Sequence, residues 1–386
     1  MSAAGAVPAA VADFAANSLP SFRGLQPATL TLIAALIAIG FIMIHSATNV
    51  DGVSSGLATR HAATVALGVG GFLMLTLMPL ALWQSLHRIG VLAAVALCLL
   101  VLLPGVGITA NGAQRWLPFV GVTLQVSEWV KPLLLVYLAG YLARVADAPD
   151  GRRFVDLVPP ALTLVGVGAL LLLQPDFGAL VVISAVTIGM LFIAGVRLGY
   201  FVLLVLAAGG LLGFLLVAQP YRWERLVSFT DPWSTAFGSG YQLTQALIAF
   251  GRGEWFGLGL GQGVQKLFYL PEAHNDFILA VIAEELGVVG VLLVLGLLTL
   301  LALRILNVGR RALVAGQRFA GYLCYGTGLL FAVQVLINAG VNTGLLPTKG
   351  LTLPLVSYGS NSMLVCMGLL ALVARAEIEL PDGDAR

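Results

Sequence analysis

Long apolar runs separated by short polar breaks dominate the chain. They lie near 28–45, 62–79, 89–103, 126–142, 157–173, 177–194, 198–217, 277–303, 319–340 and 351–373. Runs of this length and uniformity mark helices that cross about 30 Å of hydrocarbon. The pattern therefore predicts an all-α polytopic integral membrane protein of about ten transmembrane helices. One polar interruption, 218–275, is much longer than the rest and forms a long extracytoplasmic loop before helix 8. The organisation that follows is an N-terminal tail (1–27), one membrane domain (28–375) containing that loop, and a C-terminal tail (376–386).

Composition supports this class and excludes a soluble one. Of 386 residues 59% are hydrophobic and only 10% charged, against about 25% charged in ordinary globular chains. The 46 glycines suit helices that pack closely through small residues. Cys98, Cys324 and Cys366 fall in apolar runs and read as small hydrophobes, so no disulfide is expected. Arg23, just before the first run, gives a signal-anchor layout in which that span is retained. With a cytoplasmic N-terminus, the inside loops hold Arg88, Arg144, Arg152, Arg153, Arg197, Arg304, Arg310, Arg311, Arg318 and Arg375. The short outside loops hold little beyond Arg60, Arg115 and Lys349. This asymmetry obeys the positive-inside rule and places both termini in the cytoplasm. The long loop is exempt from that count, and its Arg222, Arg225, Arg252 and Lys266 point to an anionic ligand on the outer face. No repeat supports an inverted-repeat transporter.

Ionisable residues cluster where this loop enters the eighth span: Lys266, Glu272, His274, Asp276, then Glu284 and Glu285. A carboxylate within a span costs roughly 2.5–3.5 kcal/mol on insertion scales, so each calls for a reason. Asp276 reads as a helix N-cap, and equally as a base held ionised by the helix dipole. Glu284 lies two turns deeper on an adjacent face. His274 reads as interfacial or as a general acid. The loop's glycines, from Gly251 to Gly263, fit either a flexible connector or a backbone that approaches an anion. Its aromatics suit a segment folded against the membrane interface. Ala280, Ala283 and Gly287, with Gly321, Gly328 and Ala332 on the ninth span, form small-residue stripes. These stripes suit a partner helix or packing within the bundle.

Two spans carry polar stripes. Gln334, Asn338 and Asn342 recur every four residues on one face, as interhelical glue or as a cavity wall. Glu128 and Lys131 stand close enough to pair, a structural role. Gln174-Pro175-Asp176-Phe177-Gly178 breaks the chain between spans five and six, as a simple turn or as a ligand-coordinating break. Zinc-type His/Cys spacing, a phosphate-binding loop and a dinucleotide fingerprint are absent from the sequence, which argues against nucleotide hydrolysis and redox chemistry. Nothing in it points to nucleic acid. No cofactor is required, and a divalent cation is left open.

These residues resemble the SEDS family, the FtsW/RodA/SpoVE group of bacterial cell-wall proteins, from the first span to the last. The resemblance rests on Asn111-Gly112-Ala113-Gln114-Arg115-Trp116, Gln125-Val126-Ser127-Glu128, 174–178, Gly238–Gln245, 264–276 and Leu346–Gly359, and is closest to the cell-division branch. The sequence departs from the usual pattern at Val126, at Phe268, where a glutamate is common, and at Ser360-Asn361. Such a likeness implies polymerisation of lipid II into β-1,4 glycan strands at the division septum of the inner membrane. Its implied partners are a class B penicillin-binding transpeptidase of the FtsI type and other division proteins. The essential aspartate matches Asp276. Lys349, Lys266, Arg222, Arg225, Glu272, His274, Ser357, Gln174 and Asp176 are the residues expected around the substrate. An inverting transfer needs one base and positive charge at the departing diphosphate, which this outer face provides. The rival readings are a lipid II flippase using the stripes of Lys131, Gln334 and Asn338, and a scaffold that only recruits the transpeptidase.

Overall fold

The computed structural model describes residues 24–50, 53–54, 56–110, 112–119, 122–146 and 154–381. Arg23, Arg152, Arg153, most of the N-terminal tail and the last five residues of the C-terminal tail lie outside the described residues. Among those described, nine helices are long and apolar enough to cross a membrane, and a shorter apolar one, Phe177–Ile193, stands between them. In chain order these are α1 (Pro27–Thr48), α2 (Leu57–Leu77), α3 (Leu80–Leu102), α4 (Val126–Ala146), α5 (Val158–Leu173), α6 (Phe177–Ile193) and α7 (Leu198–Val217). After two loop helices, α8 (Pro220–Thr230) and α9 (Tyr241–Gly253), come α10 (Ile278–Val314), α11 (Arg318–Asn342) and α12 (Ser360–Glu379).

The main core draws on α1, α4, α6, α10, α11 and α12, and a smaller one joins α3, α4, α5 and α6. In contrast, α7 has no buried residue. Its uniformly apolar surface is that of a helix solvated by lipid.

Four features depart from the sequence pattern. Between α3 and α4 the chain forms a three-stranded antiparallel sheet of β-strands Ile108–Ala110, Ala113–Phe119 and Val122–Gln125. Its first hairpin turns at Gly112, which adopts φ 74, the conformation that an Asn-Gly turn provides.

The long loop is a packed structure and not a flexible connector. Leu243, Ala246 and Ala249 of α9 are fully buried, and α9 lies along α10.

The third departure is α10 itself, which runs to Val314 and is interrupted at Gly287 (φ 69, ψ −170). The interruption frees backbone groups that lipid cannot satisfy. The loop satisfies them: Leu258 N–H donates to Glu284 O (3.0 Å) and Gly259 N–H to Glu285 O (3.0 Å), while Val288 N–H donates to Glu254 O (2.9 Å) and Val289 N–H to Trp255 O (3.2 Å). This exchange requires backbone-to-backbone contact. A side chain on Gly253 would strike Ala283 O, and one on Gly257 would strike Glu285 O. The glycine-rich stretch therefore serves close packing, not anion binding.

Finally, α12 begins at Ser360, because Leu351–Gly359 is a non-helical segment that turns at 354–357, with Leu355 at φ 64. It continues to Glu379, so the domain boundary expected at 375 falls inside a helix. Buried Glu377 accepts from Arg304 Nη2 (3.0 Å) and Thr29 Oγ1 (3.4 Å), tying α12 to α10 and α1. Glu379 Oε1 accepts from Arg375 Nε (2.6 Å) and Leu80 N–H (3.1 Å).

The small-residue stripes also resolve. Ala280 and Ala283 are buried inside the bundle, while Gly321 faces Leu313 and Gly328 faces Leu306, both on α10. They pack helices internally and do not form the lipid-facing partner surface considered from sequence.

Gly287→Ala should destabilise the protein by about 1–3 kcal/mol through its left-handed backbone, with a further loss from the clash with Trp255 O. Gly296→Ala, in open space on the same helix, should be neutral or gain about 0.5–1 kcal/mol. Thermal unfolding of both variants in detergent checks the contrast.

Candidate active site

Three non-helical stretches converge at one end of α10: 270–277, 346–359 and the turn at 174–178. Asp276 sits where they meet. Its carboxylate faces Gly350, on which a Cβ would lie 2.8 Å from Oδ2. Asp276 is not the helix cap: Phe277 holds that position and no side chain caps the helix. What holds Asp276 is its own carbonyl, which accepts from Asn338 Nδ2 (2.9 Å) and Asn342 Nδ2 (3.0 Å). Asn338 Nδ2 also donates to Leu351 O (2.6 Å), and Asn342 Oδ1 accepts from Ala280 N–H (3.2 Å). The stripe on α11 thus joins the aspartate loop to the 351–359 segment. Gln334, one turn further along α11, is buried.

The aspartate's acid strength is unusual. Burial raises its pKa to about 7, Glu272 adds to the rise, Arg225 opposes it, and Glu128 contributes a smaller push. The dipole reading expected an acid held fully ionised. The structure instead gives a carboxylate poised to take up a proton near neutrality.

The surrounding residues divide into two sides. On one, Lys349 Nζ lies 4.6 Å from the centre of the Phe177 ring, and Arg225 Nη1 donates to Thr348 O (3.3 Å). Asp176 Oδ1 caps α6 by accepting from Ala179 N–H (3.2 Å). Gln174 is fully buried and donates to Cys98 O (3.2 Å), while Arg115 donates to Gln174 O (2.9 Å) and Pro175 O (2.6 Å). Gln174 and Asp176 therefore build the turn that presents Phe177 to Lys349, and are not exposed substrate ligands. On the other side, His274 meets Tyr358 edge to face at 5.4 Å and its carbonyl accepts from Tyr358 N–H (2.9 Å). Burial lowers the His274 pKa, with Glu272 opposing, so the ring is neutral at pH 7 and is not a ready acid. Glu272 is exposed, at φ 57.

Several expected ligands are engaged elsewhere. Lys266, placed at the diphosphate from sequence, is buried in an ion pair with Glu285 Oε1 (2.8 Å). Its Nζ also donates to Gly261 O (2.7 Å) and Ser46 Oγ (3.2 Å). Ser357 Oγ accepts from Leu353 N–H (2.8 Å), bracing its own turn. Glu284 pairs with Arg252 Nη1 (3.3 Å) and accepts from Gln265 N–H (3.0 Å). Glu128 and Lys131 pair at 2.6 Å. The Arg222 side chain lies outside the described residues. Among the described residues, no cluster of three or more His, Cys, Asp or Glu is placed to hold a metal.

The residues sequence reasoning missed are Gly350, Thr348 and Tyr358, and the structure gives the departure at Ser360-Asn361 a role. Asn361 accepts from Trp129 Nε1 (2.9 Å) and donates to Thr123 O (2.9 Å), while Ser360 Oγ lies 3.1 Å from Thr64 Oγ1. The departure from the family pattern therefore adds side-chain bridges from α12 to α4, the sheet and α2.

Comparison with known proteins follows this geometry. The family FtsW/RodA/SpoVE, described as cell cycle protein, matches residues 27–381. A probable peptidoglycan glycosyltransferase FtsW from Pseudomonas fluorescens is 47% identical over 350 residues, covering 89% of this chain and 86% of the relative. Another, from Hahella chejuensis, is 46% identical over 380 residues, covering 96% and 95%. Among solved structures, a chain of a peptidoglycan synthase complex that coordinates polymerization and crosslinking superposes with TM-score 0.77. It is 30% identical, over 92% of this chain and 97% of that one. The rod shape determining protein RodA of Thermus thermophilus superposes with TM-score 0.69 at 27% identity, over 92% and 97%.

Two outcomes test the site. Because folding raises the Asp276 pKa, ionisation opposes folding: its relative stability is complete below the unfolded pKa near 4 and is lost as pH rises through about 7. Asp276→Asn should therefore unfold at the same temperature as wild type or a higher one above pH 7, the gain shrinking towards pH 4, by thermal melts across pH. Lys266→Met leaves Glu285 buried and unpaired and should cost about 3–5 kcal/mol. Adding Glu285→Leu should restore much of that loss in the same melts.

Proposed function

The chain belongs to the FtsW/RodA/SpoVE family of multi-pass membrane proteins, and from that premise we propose that it is a peptidoglycan glycosyltransferase that polymerises lipid II with Asp276 as its base. The observation that carries this reading is a buried, proton-ready carboxylate between a basic side and an aromatic side. An acceptor hydroxyl gives its proton to Asp276 as its oxygen bonds the donor's anomeric carbon. The bond from that carbon to the lipid diphosphate breaks with inversion, giving a β-1,4 linkage. The diphosphate departs as an anion, so no protonating acid is required, and a neutral His274 is consistent with that. Lys349 and Arg225 stand where developing phosphate charge is stabilised, an effect worth several kcal/mol in a water-poor site. A base whose pKa lies near the working pH combines availability with proton affinity.

A transport pathway is less well supported. Its expected lining, Lys131 and Asn338, is closed onto Glu128, Asp276 O and Leu351 O. The same reading places both termini in the cytoplasm, the catalytic end outside, and the protein at the division septum. A class B penicillin-binding transpeptidase would receive the strand, in keeping with the synthase complex that this fold resembles.

Asp276→Asn keeps size but cannot take the proton. It should reduce glycan synthesis by about 10²–10⁴-fold with the protein still folded, by gel analysis of strands made from labelled lipid II. Wild-type kcat/KM should rise with pH and level off above about 7, following Asp276 ionisation. Near-normal polymerisation by Asp276→Asn would refute the assignment. Lys349→Ala should lower turnover and lipid II affinity together, and retention of both would remove it from the diphosphate site.

A further inference from the structure

An apolar groove of about 660 Å³ runs between α1, α2 and α12, and no part of the chemistry above uses it. Its walls are Ile33, Ile37 and Phe41 on α1, Val65 and Val69 on α2, and Met367 on α12. It extends along α1 from Leu30 to Phe41, roughly 16 Å at the helical rise. At its Phe41 end a run of rings leads away from it. Phe41 stacks on His61 with centroids 6.4 Å apart, His61 meets Tyr358 at 6.1 Å, and Tyr358 meets His274 at 5.4 Å. His274 is two residues from Asp276. The run therefore connects an apolar slot to the reacting carboxylate.

Two polar groups mark the junction of slot and rings. His61 is 1% exposed, yet its Nε2 has no hydrogen-bond partner among the described residues. A buried polar atom left without a partner is costly, and a ligand that supplies one explains it. Arg60, next in the chain, is exposed and lies in the same first turn of α2.

We propose that this groove seats the polyprenyl chain of the acceptor, with its diphosphate near Arg60 and His61, its sugars along the rings, and its free hydroxyl at Asp276. The assignment rests on the glycosyltransferase reading and deepens it by separating acceptor from donor. The spacing favours the acceptor. A donor's lipid diphosphate is bonded to the carbon under attack, so its charge must lie beside Asp276, where Lys349 and Arg225 are. An acceptor reacts at the sugar end remote from its lipid, so its diphosphate must lie a disaccharide away, as the two ring-to-ring steps from His61 through Tyr358 to His274 provide. Inversion also requires the two to approach from opposite sides. Lys349 lies against α6, whereas the rings lead to α1 and α2.

The test measures transfer by the purified full-length protein in nanodiscs, from one lipid-linked donor to acceptors with a non-transferable phosphonate linkage that can only accept. One acceptor carries an undecaprenyl chain, the other a farnesyl chain. Ala38→Trp and Ala66→Trp obstruct the groove from opposite walls, at exposed positions that pack against nothing internal. They should raise the apparent KM for the undecaprenyl acceptor about tenfold, the loss of roughly one well-placed apolar contact, with kcat retained. For the farnesyl acceptor, wild type and variants should converge. Leu206→Trp on lipid-facing α7 should match wild type with both acceptors. Unchanged KM for the undecaprenyl acceptor would show a surface wetted by bulk lipid and overturn the proposal. An equal loss with both acceptors, or a fall in kcat, would overturn it as well. If wild type transfers to neither acceptor, the glycosyltransferase reading itself fails and takes the groove with it.

Discussion

A hydrocarbon environment leaves no backbone polar group free to hydrogen-bond to solvent, and this protein keeps three irregular stretches at the site under that constraint. The carboxamides of Asn338 and Asn342 make it possible. From one face of α11 they hold the carbonyls of Asp276 and Leu351, binding two chain segments that would otherwise be independent. The carboxylate is placed through its own backbone carbonyl, and among the described residues no hydrogen bond to its oxygens is seen. Those oxygens therefore remain available to substrate, while burial and Glu272 hold the group near its protonation midpoint.

The same constraint explains the second group of charges. Breaking α10 at Gly287 frees backbone groups that the glycine-rich loop takes up, and it brings Glu284 and Glu285 against that loop. Each carboxylate finds a cation there, Arg252 for one and Lys266 for the other. Ser46 extends the second pair to α1. Buried pairs of this kind add little net stability, because desolvation offsets attraction, but losing one partner is costly. They act here as registration points that fix the loop on the bundle.

Much of this was legible in the sequence because it is local or periodic. Apolar run lengths located the helices, the three-residue spacing of Glu128 and Lys131 implied their pairing, and the four-residue recurrence of Asn338 and Asn342 implied a common face. Asp276 stood out as a carboxylate at a helix entrance. What was not legible depends on contacts distant along the chain. Nothing near Lys266 indicates that Glu285 and Ser46 will claim it, since that follows from the break at Gly287. Ser357 and Gln174 belong to recognisable segments, yet the Ser357 hydroxyl serves its own turn and the buried Gln174 carboxamide donates to Cys98 O on α3. The start of α12 was misplaced because Leu351–Val356 is nearly as apolar as a span, while the bonds that keep 351–359 out of a helix come from Asn338 and His274, far along the chain, and from its own Ser357.

Nothing in the bundle encloses α7, although Tyr200 and Leu204 touch its edge. Its 20 residues span about 30 Å, close to the hydrocarbon thickness itself. A helix so matched and so weakly packed is the element most easily tilted when bilayer thickness changes, at a cost of only fractions of a kcal/mol per Å. Two residues link it to α8, which carries Arg225 towards Asp276. Any tilt of α7 would therefore be felt first at α8 and at Arg225, one of the charges that act on the Asp276 carboxylate.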